Sequence, residues 1–498
     1  MTPKIYLAFL LTLLLAGCAK EESGKQDSSI DDAMASVAGE PRKTNLEYEP
    51  APAFEGAVVE AKPLPPLPMP AHPFQNNNGY SGAHGDSYNS GIIPAAGPLG
   101  KNLNVKAFLS EPRPAYCSTQ HFDAKGRVIS VCVGRSTPSK LVLLDPDTMQ
   151  PLDIVELPPM GGFYIRMDNQ DRVVIPAGDM SIQTFEVVES DEGPHWNRVS
   201  RRDVLSSVPE ALRVPFTFPL DMVADWEGNW WFVVQRPAAI GYITPNGEVH
   251  SKIFEGEIIA NGLAADPNGI HFVTSQNLYS MRVGLEGPEV TLKMPYEVGE
   301  KAAGESFGTG SGTTPVIFGD NLIAFGDNAD PRPNVLVYRL GDVPDDQRLV
   351  CKVPVFKPGR SVLENSFIGY DHSLVIENNK GFVMSGSSAK AEPGFVRIDV
   401  RPDLSGCDIV WENYAVRAGT GAKLSLGSGL IYVHELLLGT DDAWYVTAID
   451  FETGKMAWRH FLGYGEDWDN ALLTMSIGPD GLLTSGMYAG ILGARDTD

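Results

Sequence analysis

Two stretches of the chain concentrate residue types that commonly bind ligands. Residues 308–334 begin with a run rich in glycine and threonine, whose backbone N–H groups could approach an anion. They end in a segment that holds two carboxylates, two amides and a guanidinium, and residues 364–379 carry a second polar group. Such density on a rigid scaffold is typical of function, although the same residue types also build ordinary turns. The predicted ligand-binding residues are Thr313, Thr314, Asp327, Asn328, Asp330, Glu364, Asn365, His372 and Glu377.

The elements that must position these residues are short β-strands. Apolar runs alternate with turns rich in Asp, Asn and Gly, as in an all-β sandwich, barrel or propeller. Eight such turns, from Asp123 to Asp480, recur about every 51 residues, close to the ~40–50-residue period of propeller blades. A second kind of turn, with Asp and Thr at 145–148 and 450–454, implies two hairpins and therefore four strands in each period. The sequence predicts an all-β, eight-bladed β-propeller, with seven blades as the alternative.

Closure of the ring and the position of its axis follow from this pattern. Too little chain follows the last turn for four strands, so residues 104–109 are expected to complete that blade by pairing N- and C-terminal strands. The segment 84–87 could fold back over one mouth of the channel. Each inner strand begins beside the central axis, where polar side chains would form a convergent site. The residues predicted to face the axis are Ser118, Tyr164, Asp221, Asn261, Thr313, Thr314, His372, Ser425 and Asn470.

Several short motifs resemble known propeller families. Residues 445–458, YVTAIDFETGKMAW, are similar to the repeat of quinoprotein (PQQ-type) propellers, whose tryptophan docks between blades, and residues 408–411, DIVW, are a second copy. Residues 221–231, DMVADWEGNWW, and 261–266, NGLAAD, resemble the SMP-30/gluconolactonase and strictosidine-synthase-like propellers. Each resemblance covers fewer than twenty residues, so together they indicate an architecture rather than an activity.

The SMP-30 resemblance implies a metal site. In that family an Asn of an Asn-Gly-Leu motif and an Asp of an Asp-Gly-Met motif bind calcium, and the matching positions here are Asn261 and Asp221. Oxygen ligands of this kind suit Ca²⁺. The alternative is that both side chains bind backbone groups at the starts of strands.

The cysteines indicate two disulfides in an exported protein. Cys117 and Cys132 flank the turn 123–126, and pairing Asp123 with Gly126 places the two cysteines directly opposite on antiparallel strands, at a spacing that a disulfide needs. Cys351 and Cys407 then pair by elimination.

The first residues resemble a bacterial lipoprotein signal. A short apolar run follows Lys4 and ends in Leu-Ala-Gly at 15–17, directly before Cys18, as in the lipobox whose cysteine is acylated. Ala19 in place of an aspartate favours the outer membrane, on the periplasmic face. The expected organisation is a signal peptide at 1–17, a lipidated, flexible, proline-rich tether at 18–78, and the propeller at 79–498.

Composition excludes some functions and leaves three open. A formal net charge of −24 opposes nucleic-acid binding, and the sequence lacks CxxCH, HExxH and Walker motifs. The first open function is a propeller that binds a protein partner or a small ligand at the envelope, favoured because no complete catalytic set is found. The second is a Ca²⁺-dependent hydrolase or lactonase that uses Asp221 and Asn261, with Asp327 or Glu364 as a further ligand or base. The third is a PQQ-type oxidoreductase, disfavoured because no two cysteines are adjacent.

Overall fold

β-Strands account for nearly all the regular structure. The computed structural model describes residues 52–80, 83–134, 136–214, 217–299, 303–304, 308–382, 391–440 and 442–497. Over these residues the chain forms eight four-stranded antiparallel blades, which confirms the predicted eight-bladed β-propeller. In this part of the chain the helices are single 3₁₀ turns, at Leu205–Ser207, Glu210–Leu212, Asp345–Gln347 and Glu466–Trp468.

Blades 1 to 4 follow one another along the chain, each with its first strand innermost. The strands of blades 1 and 2 are Tyr116–Phe122, Val128–Val133, Ser139–Leu144, Pro151–Leu157, then Arg166–Met167, Val173–Ala177, Ser181–Val188 and His195–Asp203. The strands of blades 3 and 4 are Pro219–Ala224, Trp230–Val234, Ala239–Ile243, Val249–Ile253, then Ala264–Asp266, Gly269–Val273, Asn277–Gly284 and Gly287–Pro295.

Blades 5 to 7 repeat this order, and blade 8 closes the ring. A two-stranded hairpin, Ala303–Gly304 with Gly308–Thr309, precedes blade 5. The strands of blades 5 and 6 are Val316–Phe318, Leu322–Gly326, Asn334–Arg339, Leu349–Pro354, then Ile368–Tyr370, Ser373–Glu377, Phe395–Val400 and Cys407–Asn413. The strands of blades 7 and 8 are Lys423–Ser425, Leu430–Leu436, Ala443–Asp450, Met456–Tyr464, then Met475–Ile477, Leu483–Met487, Gly490–Arg495 and Asn104–Leu109.

The closing strand is the one expected from the sequence. Asn104–Leu109 pairs antiparallel with Gly490–Arg495, from Asn104 opposite Arg495 to Leu109 opposite Gly490. The outermost strand of blade 8 therefore comes from the N-terminal side of the ring, and its other three strands come from the C-terminal end. This pairing removes the open edge that the last blade would otherwise present.

The core lies between neighbouring blades. The inner strand of blade 1, Tyr116–Phe122, is buried at every position because both of its faces are covered, whereas the outer strand of blade 6, Cys407–Asn413, is mostly exposed. Trp458 is fully buried in a cluster that contains Val446 of blade 7 and Met475 of blade 8. Its position agrees with the docking between blades that the quinoprotein-like motif implies.

Both predicted disulfides are confirmed among the described cysteines. Cys117 and Cys132 lie opposite each other on the first two strands of blade 1, although the turn between them differs from the expected one. Asp123 closes a longer turn, in which its backbone N–H donates to Arg127 O (3.2 Å), and a register shift between Cys117 and Gln120 restores the alignment of the cysteines. The Cys351–Cys407 disulfide joins the outer strands of blades 5 and 6.

Residues 57–80, here named the strap, lie across one face of the ring. This is the turn face, where the inner strands end in their first hairpin turns. The strap follows the strand Phe54–Gly56, which pairs with the outer strand of blade 7. Its hydrogen bonds reach blades 7, 3 and 1: Leu64 N donates to Leu426 O (2.8 Å), His72 Nε2 bonds Ala224 O (2.9 Å), and Asn78 Nδ2 donates to Phe122 O (3.0 Å).

The strap corrects part of the tether prediction. Residues 52–78 were expected to be a flexible spacer, but their backbone and side-chain donors bind carbonyl groups of the ring, so this stretch belongs to the folded unit. Proline keeps the chain extended, as predicted, yet an extended chain also suits docking along a ring. Cys18 and the rest of the predicted tether lie outside the described residues.

Residues 83–93, here named the plug, enter the central channel after the strap. Their carbonyl groups accept hydrogen bonds from the inner strands of four consecutive blades, including Ala265 N to Ser87 O (2.7 Å), Ile317 N to Tyr88 O (2.9 Å) and Gly369 N to Ser90 O (2.8 Å). Ile92–Ile93 then adds a parallel strand to the inner edge of blade 7. Residues 84–87 do fold back to the channel, as expected, but they lie inside it rather than over its mouth.

Within the ranges given above, no helix has the length and apolar character needed to cross a membrane.

Candidate ligand site in the central channel

A cavity of about 70 Å³ lies in the channel beside the plug. Its wall comes from the starts of the inner strands, the loops that lead into them, and the plug itself. These positions lie at the entry face, which is the face opposite the strap. The polar and charged side chains that line it are His84, Asn89, Ser118, Tyr164, Asn261, Glu364, Asn365, Ser366, Lys423 and Thr474.

The plug places His84 against Tyr164. The two rings stack with their centroids 5.2 Å apart, and His84 is only 4% exposed. Burial, together with the positive charges of Arg166 and Lys423, lowers the pKa of His84 well below its usual value. His84 is therefore a neutral imidazole at physiological pH. Its Nδ1 has no hydrogen-bond partner among the described residues, which is rare for a buried polar atom.

Tyr164 and Asn261 form a hydrogen-bonded bridge along the wall. The Tyr164 hydroxyl donates to Asn261 Oδ1 (2.6 Å), and Asn261 Nδ2 donates to the carbonyl groups of Gly312 and Glu364. Burial and the nearby carboxylate of Asp221 raise the pKa of Tyr164. The phenol therefore stays protonated and remains a donor.

Glu364 and Glu377 bring two buried carboxyl groups to this end of the channel. Glu364 lines the cavity and is 2% exposed. Glu377 lies behind it, where Oε1 accepts hydrogen bonds from Asn365 Nδ2 (2.5 Å) and Asn379 Nδ2 (2.9 Å). Burial raises the pKa of Glu377 to about 8, because desolvation of the carboxylate outweighs these hydrogen bonds and the charge of Lys423.

Lys423, the first residue of the inner strand of blade 7, is a buried cation. Its Nζ donates to the carbonyl groups of Ala83 (3.1 Å), Gly421 (3.0 Å) and Ala422 (3.3 Å). Burial lowers the pKa of Lys423 to about 8, against the opposing charges of Glu377 and Asp86. Because Ala83 belongs to the plug, Lys423 also fastens the plug to the ring.

Arg166 holds the plug from the opposite side, through a buried ion pair with Asp221. Its Nη2 lies 3.1 Å from Asp221 Oδ2, and the two side chains are 3% and 0% exposed. The same guanidinium donates to Asp86 O (3.3 Å) in the plug, while Asp221 also accepts the N–H groups of Met222 (2.7 Å) and Leu263 (2.9 Å). The Asp221 carboxylate thus joins blades 2, 3 and 4.

This arrangement does not support the calcium site that the SMP-30 resemblance implies. Asp221 is engaged by Arg166 and two backbone N–H groups, and Asn261 uses both ends of its amide within the wall. In the described ranges, no group of three or more His, Cys, Asp or Glu side chains is placed to hold a metal ion. Packing explains the glycine of the motif at 261–263, since a Cβ on Gly262 would clash with the Asp221 carboxylate.

Most of the predicted ligand-binding residues around blade 5 stabilise loops. Thr313 Oγ1 accepts Gly326 N (3.0 Å), and Thr314 Oγ1 accepts Gly262 N (2.9 Å). Asn328 Nδ2 donates to the carbonyl groups of Gly310 (3.1 Å) and Leu363 (2.9 Å).

Asp327 and Asp330 belong to the turn that follows the second strand of blade 5. Asp327 Oδ1 accepts Ala329 N (2.9 Å) and Asn334 N (2.7 Å), and burial raises the pKa of Asp327. Asp330 is exposed in the same turn. These residues support the loops of the entry face, whereas Glu364, Asn365 and Asn261 reach the cavity itself.

His372 does not face the axis, and that prediction is wrong. It lies in the first hairpin turn of blade 6, on the turn face, where its Nδ1 is 3.1 Å from Asp371 Oδ1. The error arises because the turn residues at 379–381 resemble those of a first hairpin, which places His372 a few residues ahead of it, at the start of an inner strand. In the structure that turn follows Ser373–Glu377 and is therefore the second.

Sequence reasoning missed two charged residues of the channel, Arg166 and Lys423. A signal was present, because each is a cation at the start of a strand whose neighbours are apolar. The part that His84 has in the wall was not foreseen either, since local pattern does not reveal that the plug re-enters the ring.

Comparisons with known proteins support the fold and leave the activity open. No family model matches the sequence. An uncharacterized protein of Archaeoglobus fulgidus is 24% identical over 291 residues, which is 51% of this chain and 56% of that relative. The match thus spans little more than half the length of the relative.

Solved structures with a similar fold share little sequence with this chain. A europium-containing methanol dehydrogenase superimposes with a TM-score of 0.52 at 10% identity, over 84% of this chain and 91% of that chain. Sqt1 from Chaetomium thermophilum gives 0.48 at 9% identity over 79% and 100%, and a streptogramin B lyase gives 0.40 at 11% over 79% and 98%. At 10% identity the superposition on the methanol dehydrogenase supports the fold alone. The superpositions on Sqt1 and on the lyase, with TM-scores below 0.5, support no conclusion. The chain is an eight-bladed β-propeller of the same general architecture.

Proposed function

We propose that this protein is a lipid-anchored envelope β-propeller that binds a small polar ligand in its central cavity. The observation that carries the proposal is the buried imidazole of His84, which lines the cavity and whose Nδ1 atom has no partner among the described residues. A buried polar atom of this kind costs about 1–3 kcal/mol when its hydrogen bond is not made. A ligand or an ordered water molecule in the cavity would supply that bond.

The surroundings of His84 also favour binding. The plug itself forms part of the cavity wall, together with the loops that lead into the inner strands. Buried groups with strongly shifted pKa values, such as Glu377 and Lys423, cluster at functional sites more often than elsewhere. No observation on the described residues favours the hydrolase or the oxidoreductase over simple binding.

The proposal is tested by a fragment screen with ligand-observed NMR on the purified protein. Fragments that bind the wild type should lose at least tenfold in affinity with His84→Phe, which keeps a ring against Tyr164 but removes both nitrogens. His195→Phe, in the outer strand of blade 2, is the matched control and should leave binding unchanged. Fragments that bind both variants equally well, or no binding at all, would contradict a ligand site at His84.

The anchor is a separate part of the proposal. Leu-Ala-Gly-Cys at 15–18 supports acylation of Cys18, and Ala19 supports the periplasmic face of the outer membrane. A Cys18→Ser variant should lose both labelling by radioactive palmitate and sedimentation with outer-membrane fractions. Unchanged sedimentation would refute the lipid anchor without affecting the ligand site.

A further inference from the structure

Lys423 is a buried cation that forms no ion pair with the described residues. The hydrogen bonds of its Nζ go to the backbone carbonyl groups of Ala83, Gly421 and Ala422. These three residues line the cavity together with Lys423, so the ammonium group lies at the cavity wall. Buried charges are usually paired, because a buried charge loses its hydration and needs a counterion in its place. A negatively charged ligand in the cavity would supply that counterion.

The carboxyl groups near Lys423 balance its charge only in part. Burial raises the pKa of Glu377 to about 8 and also raises the pKa of Asp86, so both groups hold their protons more strongly than exposed carboxyl groups do. Glu364, the carboxyl group that lines the cavity, has a partner of its own. The three carboxyl groups therefore give Lys423 less negative charge than their number suggests.

Positive charge also acts on the imidazole of His84. Burial and the cations Arg166 and Lys423 lower the pKa of His84, so the ring is neutral in a region of positive potential. Such a potential attracts anions, and Coulomb interactions are strong where water is excluded. A neutral imidazole carries one N–H group. With its proton on Nδ1, His84 offers a hydrogen-bond donor that no described residue uses.

Ser366 adds a second donor to the wall. It is partly buried, lines the cavity, and its hydroxyl group forms no hydrogen bond with the described residues. The hydroxyl group of Tyr164, by contrast, already donates to Asn261. The oxygens of a carboxylate accept hydrogen bonds and donate none, so they suit donors such as His84 and Ser366.

The rest of the wall is largely apolar. Its larger apolar side chains are Phe163, Leu220, Phe367, Leu472 and Leu473. Apolar side chains favour a ligand whose uncharged part is a hydrocarbon chain. A cavity of about 70 Å³ admits only a short chain.

We infer that the ligand of the central cavity is a short-chain monocarboxylate, bound as an anion with His84 and Ser366 as donors and Lys423 as the attracting charge. The inference rests on the proposed function, since it names the chemical class that the cavity takes.

Three probes of similar shape test the inference on the wild-type protein. Ligand-observed NMR titrations near pH 7 would compare propionate, 1-propanol and n-propylammonium, which differ in charge at one end. Propionate should bind at least tenfold more tightly than propanol, and propylammonium should bind most weakly. Binding of propanol or propylammonium as tight as that of propionate would overturn the carboxylate class and leave a ligand site in place. If none of the three binds while fragments respond to His84→Phe, only the inference fails; if fragments also fail, the proposed function falls with it.

A variant of Lys423 then locates the preference. Lys423→Met keeps a long side chain without the charge and should remove the tenfold difference between propionate and propanol. Lys455→Met, in an exposed hairpin turn of the same blade, is the matched control and should leave that difference intact. An unchanged difference in folded Lys423→Met would overturn the role of Lys423.

The pH dependence of binding to the wild type tests the same role if Lys423→Met does not fold. Lys423 and Glu377 both have a pKa of about 8, so a rise from about pH 6 to about pH 9 removes a positive charge and adds a negative one near the cavity. His84 is already neutral at the lower pH, and Tyr164, whose pKa is raised, stays protonated at the higher one. The affinity for propionate should therefore fall at least tenfold, while that for propanol changes little. Equal affinity for propionate at the two pH values would contradict the inference.

Discussion

Asp221→Ala should strongly destabilise the propeller, because it leaves the Arg166 guanidinium buried without its counterion. The two side chains are 3% and 0% exposed, with 3.1 Å between Arg166 Nη2 and Asp221 Oδ2. Breaking such a pair by removal of one partner costs about 3–5 kcal/mol. The N–H groups of Met222 and Leu263 lose their acceptor as well.

The matched control is an exposed ion pair on the outside of the ring. Arg401 and Asp408 have side chains that are 47% and 59% exposed, so Asp408→Ala should cost about 0–1 kcal/mol. The double variant Arg166→Met with Asp221→Leu should recover the part of the loss that comes from the unpaired guanidinium, since two apolar side chains leave no buried charge, while the N–H groups of Met222 and Leu263 still lack their acceptor.

The assay is unfolding in urea followed by tryptophan fluorescence. Trp231, Trp444 and Trp458 are fully buried, so their emission reports the loss of the ring. The reasoning is refuted if Asp221→Ala shifts the unfolding midpoint no more than Asp408→Ala does. That result would leave the Asp221 carboxylate available for another partner, such as the calcium ion that the SMP-30 resemblance implies.

Two further predictions concern Glu377 and the second disulfide. The folded pKa of Glu377, about 8, lies above its ordinary value of 4.5, so the stability that its proton contributes should be lost as pH rises from about 4.5 to about 8. The free energy of unfolding of Glu377→Gln should equal that of the wild type near pH 4 and exceed it by a few kcal/mol near pH 8. Parallel profiles of urea midpoint against pH for the two proteins would contradict this. Replacing Cys351 and Cys407 by serine should cost about 4 kcal/mol, because the loop that their disulfide closes spans 56 residues; a change below about 1 kcal/mol in the same assay would show that the bond does not constrain the unfolded chain.

Much of the fold could be predicted from the sequence because a propeller is a local repeat. Turn residues mark each hairpin, so the spacing of those marks fixes the number of blades. The closing strand was predictable because the last period lacked a strand and 104–109 offered one. The Cys117–Cys132 pair was predictable even though the turn differed by a residue, because the bulge restored the register.

The candidate site was less predictable because it depends on contacts between distant segments. Glu364, Asn365 and Asn261 were predicted as polar residues and do reach the cavity. The plug brings His84 beside Tyr164, 80 residues later in the chain, and no periodic pattern encodes that contact. His372 was misplaced because one hairpin of blade 6 was counted in the wrong register, which moves a residue from one face of the ring to the other.

The most direct test of the proposed function is a high-resolution crystal structure of the protein soaked with a fragment that binds in the NMR screen. We expect density for the fragment in the central cavity, with one of its polar atoms within hydrogen-bond distance of His84 Nδ1. Clear density for the fragment elsewhere with none in the cavity, or a metal ion coordinated by Asp221 and Asn261 in its place, would contradict the proposal.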